Sequence, residues 1–265
     1  NHVFSWKSRG QTLKGTKKGE FDGPHTIDVD PEGNIFVAET YNQRVQKLSS
    51  NGEFLGYIGN KFFSSESRLA SAYLGLNQEL FVSDASKNEI VVITMRNGEG
   101  LPSSSREKEE FSVFKKNPPK AFDKLHDNIY KIYNPHSARV DHHGNIIVVD
   151  SGNNRILKYT KDGQFAGWIG ATNSGVVTMG WQKHGQSARS QEPGGFIAPT
   201  SVAFDRYGNF VTSEYGNPRI QLFSGGGNAQ RKGLIVFLKA YSHICSLCSR
   251  DLMPLSPFLT IIIHY

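Results

Sequence analysis

Two histidines stand out, because each follows a proline at the same place in a repeated segment. They are His25, in Gly23-Pro24-His25, and His136, in Asn134-Pro135-His136. Imidazole is a common metal ligand and can also carry a proton near neutral pH. Equivalent positions at the starts of radially arranged strands converge on an axis. His25 and His136 are therefore expected to share a metal there. A second cluster, His243, Cys245 and Cys248, is half of a zinc site, with no second Cys pair to complete it. Its cysteines read as free thiols. Three acid/arginine pairs recur: Glu39/Arg44, Asp150/Arg155 and Glu214/Arg219, with Asn42, Asn153 and Asn217 inside them. Chemistry needs one site, so a pair copied in each unit reads as structural, a charge-assisted bond from one strand to the next. Asn97-Gly98-Glu99-Gly100 is not followed by Lys-Ser/Thr, so it is no phosphate loop, and no Gly-x-Ser-x-Gly elbow appears. No residue is assigned a catalytic role.

The elements that position these residues repeat along the chain. The segment from Gly23 to Gly59 recurs at a constant offset of 111, pairing Pro24 with Pro135, Gly33 with Gly144, Glu39 with Asp150 and Arg44 with Arg155. A further copy follows at an offset of 64, where Pro199, Gly208, Glu214 and Arg219 take those places. A weaker copy lies between the first two. It reads Leu80 to Asp84 and then Asn88 to Ile93, without the leading Pro or the Arg. Each unit reads as short strands: Ile27 and Val29 alternate with polar residues, and Asn34–Val37, Val45–Leu48 and Phe54–Ile58 are short runs. Asp30-Pro31-Glu32-Gly33-Asn34 and its copies at Asp141 and Asp205 are turns, with Asp to bond the backbone and Gly for positive φ. Asn51-Gly52 and Asp162-Gly163 mark second hairpins. Three or four short antiparallel strands per roughly 40–45 residues describe the blade of an all-β propeller.

The composition agrees. Of 265 residues, 37% are hydrophobic and 27 are glycine, which suits short strands and turns and excludes wholesale disorder. No apolar run approaches the roughly 18 residues of a membrane-spanning helix. The net charge of +6 is not a mark of nucleic acid. Residues 1–18 hold five cations and no acid, residues 228–265 are also basic, and the body between is slightly acidic. The expected organisation is a basic arm at 1–18, blades over 19–227 with an insertion at 98–132, and an atypical tail at 228–265. Leu234–Leu238 in that tail is expected to add an outer strand.

The repeated segments resemble the NHL repeat: an opening Pro, an apolar strand ending in Asp, a Gly turn, a strand ending in an acid, then Asn-x-Arg-Ile/Val. The likeness covers roughly 19–97 and 133–223. It implies an NHL-type β-propeller, commonly six-bladed, of which four units are visible here. The chain therefore reads as an incomplete or fragmentary ring. The resemblance implies a binding platform for a protein or small-molecule ligand on a propeller face. One enzyme of this kind, the lyase half of the peptide-amidating enzyme, holds zinc through Pro-His pairs in alternate blades. By that likeness, His25 and His136 are ligands and Tyr215 assists. Other relatives bind RNA or recognise ubiquitin-ligase substrates. Blade-packing core is expected of Trp168, with Trp181 and Phe196 as alternative groove residues.

Overall fold

A computed structural model describes residues 14–76, 78–95, 131–205 and 207–224, together with the backbone of 110–114. It holds four antiparallel sheets. The first is β1 (Pro24–Val29), β2 (Ile35–Glu39), β3 (Arg44–Leu48) and β4 (Phe54–Ile58). The second is β5 (Leu69–Leu74), β6 (Glu79–Asp84), β7 (Glu89–Thr94) and β8 (Glu110–Phe114). The third runs from β9 (Ser137–Val140) through β10 (Ile146–Asp150) and β11 (Arg155–Tyr159) to β12 (Phe165–Thr172) and the short β13 (Ser187–Ala188). The fourth is β14 (Pro199–Phe204), β15 (Phe210–Glu214) and β16 (Arg219–Phe223).

In each sheet the strands pair in chain order, the meander of a propeller blade. The weak copy is thus a full blade. Its outer strand β8 pairs with β7 through Ile90↔Phe114 and Val92↔Ser112. It lies inside the stretch read from sequence as an insertion. The periodicity there was too faint to announce a strand, and pairing along β7 supplies what the pattern lacks. The cluster His243, Cys245 and Cys248 and the run Leu234–Leu238 lie outside the described residues.

Strands β2 and β10 are buried along their whole length, which is why Ile35-Phe36-Val37-Ala38 and Ile146-Ile147-Val148-Val149 do not alternate with polar residues. β10 faces the second blade through Ile146 and Val148 and the fourth through Ile147 and Val149, while β2 faces the second blade through Phe36 and Ala38 and has Phe21 and Phe54 packed against Ile35 and Val37. Phe36, Ala38 and Val45 pack on Leu69, Ala72, Leu80 and Val82 of the second blade. Phe81, Ile90 and Val92 pack on Ala138, Val148, Leu157 and Trp168 of the third. Ile147, Val149 and Ile169 pack on Val202, Phe210 and Phe223 of the fourth. Trp168 and Phe196 are fully buried in these layers, so they form core and not a groove, while Trp181 is packed at the edge of the third layer.

The first strands β1, β5, β9 and β14 stand side by side in that order. Side chains of β1 stitch it to β5: Thr26 Oγ1 accepts the Ala72 N–H at 3.0 Å and Asp28 Oδ2 the Leu74 N–H at 2.8 Å. Antiparallel pairing puts the starts of these strands, the loops after β2, β6, β10 and β15, and the connections between blades at one end of the molecule. That end is called the mouth below.

Candidate functional site at the mouth

The first strand of three blades opens with the same irregularity. Pro24 pairs with Glu39, but the register slips before Thr26; the same slip follows Leu69 and Pro199. The residue inside the slip is His25, Ala70 or Thr200. A bulge of this kind re-aims one side chain away from the alternation of its strand. In the third blade His136 occupies the matching place, with its N–H bonded to Val149 O at 3.0 Å.

The two imidazoles meet although 111 residues separate them. Their ring centroids are 6.4 Å apart, inclined at 69°. The blade between them presents Ala70, whose carbonyl holds His25. His25 Nδ1 lies 2.8 Å from Ala70 O. A carbonyl can only accept, so Nδ1 carries the proton and the neutral ring keeps its lone pair on Nε2. Burial pushes the His25 pKa down; the Ala70 bond opposes this, and the positive charge of Arg68 adds to the lowering.

Arg68 immediately precedes β5 and is exposed at the mouth. Its Nη2 donates to Asn134 Oδ1 at 2.5 Å. Asn134 has a left-handed backbone (φ 49°), and its N–H donates to Asn88 Oδ1 at 2.7 Å. The chain Arg68–Asn134–Asn88 thus crosses the junction of the second and third blades, two residues from His136. No local spacing announced it, since the three residues belong to different segments. Three tyrosines also stand exposed at this end: Tyr41 (63%), Tyr133 (58%) and Tyr215 (81%).

The repeated acid/arginine pairs lie at the same end, but inside the blades. Arg44 Nε meets Glu39 Oε2 at 2.6 Å, Arg155 Nε meets Asp150 Oδ2 at 2.7 Å, and Arg219 Nε meets Glu214 Oε1 at 2.6 Å. The three acid side chains are 0% exposed. Each acid also accepts a backbone N–H from the segment leading into its blade: Asp22, Tyr133 or Ile197. Each guanidinium donates to carbonyls of that segment, such as Glu20, Lys131 and Gly195. The pair therefore clamps the entering chain to the β2–β3 type loop. Burial pushes the Asp150 and Glu214 carboxyls above the ordinary range, against the pull of their arginines. In the second blade Glu89 stands at the arginine's place, opposite Asp84, and Lys87 approaches Asp84 Oδ2 at 4.0 Å.

Two imidazoles would fill only half of a tetrahedral zinc shell. The Nδ1 bond of His25 is the kind that orients a ligating ring. Among the described residues no group of three or more His, Cys, Asp or Glu is gathered to hold a metal.

The NHL repeat is recognised at residues 21–48 and 133–159. No curated protein matches the chain. Solved structures resemble it. A catalytically inactive virginiamycin B lyase from Staphylococcus aureus with quinupristin is 12% identical, with a TM-score of 0.50, over 83% of this chain and 56% of that one. A protein of unknown function from Bacteroides caccae is 10% identical, with a TM-score of 0.49, over 81% of this chain and 64% of that one. The chain thus spans little more than half the length of the first of these structures. The chain carries NHL repeats, and its all-β sheets have the propeller-like arrangement of the first of these structures.

Proposed function

We propose that this NHL-repeat propeller is a binding platform, receiving a protein or small-molecule ligand on the loop face at the mouth. The observation that supports this reading is the trio Tyr41, Tyr133 and Tyr215. Each is exposed on a loop at the same end, and each loop is anchored by a buried acid/arginine clamp. Tyrosine gives large contact area at low entropic cost and is enriched at interfaces. A rigid frame with varied loops is a common way to build recognition. The test is cross-linking in an extract of the cells that express the protein. Cross-links are expected at the mouth, and Tyr41→Ala/Tyr133→Ala/Tyr215→Ala is expected to lose them while keeping its circular dichroism. Equal capture by the triple variant, cross-linked at the opposite end, would overturn the platform.

A second reading is metal-dependent lyase chemistry of the amidating-enzyme kind, favoured by the 6.4 Å approach of His25 and His136. Zinc supplies a Lewis acid when bound. Here His25 would be held by Ala70 with Nε2 toward the ion. About one zinc per purified chain, lost in His25→Ala/His136→Ala, supports this; metal at background level rejects it.

A further inference from the structure

We infer that Arg68 is an anion-recognition residue, and that the ligand taken at the mouth carries a carboxylate received by its guanidinium beside the His25/His136 pair. The inference deepens the platform reading and rests on it.

Among the described residues the three arginines of the repeat are consumed inside blades. Arg44, Arg155 and Arg219 are buried and ion-paired to a carboxylate of their own blade. Arg68 differs on each count. It is exposed, it belongs to no repeat motif, and no described carboxylate lies within ion-pair distance of it. Yet it is not a loose surface cation. Its Nη2 is bound to Asn134 Oδ1, Asn134 is fixed by Asn88, and its backbone N–H is bound to Asp84 Oδ1 at 3.1 Å. Asn accepts the bond without neutralising the charge. The guanidinium has five N–H donors in a rigid fork, and one bond to an amide leaves others for a planar, two-oxygen acceptor. A positioned, unneutralised guanidinium beside two half-buried imidazoles and an exposed Tyr133 suits a carboxylate attached to an apolar or aromatic body.

The test uses benzoate as the probe and benzamide as its uncharged counterpart, each titrated into the protein by NMR in the presence of EDTA. Benzoate is expected to shift the backbone resonances of residues 68–70 and 134–137 saturably. Benzamide and the Arg68→Gln variant are each expected to bind at least tenfold more weakly, with Arg68→Lys recovering part of the loss. Benzoate affinity is expected to fall as salt rises. Should Arg68→Gln fold poorly, Asn134→Ala serves: it keeps the charge, frees the fork, and is expected to weaken benzoate alone. The inference is overturned if benzamide binds as well as benzoate, if Arg68→Gln binds unchanged, if no shift occurs, or if EDTA abolishes binding, which would make a metal the anchor. Any of these results with tyrosine-dependent cross-linking intact removes the carboxylate site alone. Loss of that dependence removes the platform.

Discussion

His25 is kept neutral by burial and by a nearby arginine, and this gives the protein a pH signature. Its pKa in the fold lies below the ordinary 6.5. Between the lowered value and 6.5 the unfolded chain binds more protons than the folded one, so stability rises with pH through that window and falls on acidification. His25→Gln is expected to flatten this slope in urea titrations run across the window; an unchanged slope would count against the burial effect. The acid/arginine clamps make a second residue-scale prediction. Arg155→Leu leaves Asp150 buried with only neutral donors and is expected to cost about 3–5 kcal/mol. Asp150→Leu/Arg155→Leu should regain most of that, since no charge is then left inside. Urea unfolding of the single and double variants checks both. These pairs were legible in the sequence, because five residues are enough to span a tight loop between paired strands.

The turns carry the element scale. Asp141 Oδ1 accepts the His143 and Asn145 N–H groups at 2.9 and 2.8 Å, and Oδ2 accepts the Asn145 amide at 2.8 Å. Asp30 and Asp205 bond Asn34 and Asn209 in the same way. Gly144 closes the turn at φ 83°, a region that favours glycine. Asp141→Ala removes all three bonds and is expected to cost roughly 1–3 kcal/mol, read from thermal unfolding. An unchanged midpoint would show that water replaces the carboxylate. Such motifs are visible in sequence because each is closed within five residues. The outer strand β8 was not visible, because its place is set by the exposed edge of β7 and not by its own pattern.

At the scale of the molecule, stability comes from sheet faces pressed together. Trp168 is 0% exposed at the junction of the second and third blades, and its Nε1 donates to His184 O at 3.1 Å. Trp168→Ala is expected to cost about 3–5 kcal/mol, and loss of less than 1 kcal/mol in denaturant titrations would contradict the layered core. On the far side of the first blade, Ile27 and Val29 are 49% and 55% exposed on β1. An apolar strand flank left in water invites association. Light scattering should therefore show self-association that Ile27→Lys reduces; a monomer at every concentration would argue otherwise.

The sequence by itself determined the blades: copied prolines, Asp-Gly turns and acid/arginine clamps all act over short distances, where residue type and spacing decide geometry. Only the tertiary structure decided that the His25 and His136 rings approach each other, and that Arg68 reaches Asn134. Those approaches depend on how one sheet is rotated against the next. That rotation is set by the packing of some dozens of buried side chains between blades, and no stretch of chain encodes it alone.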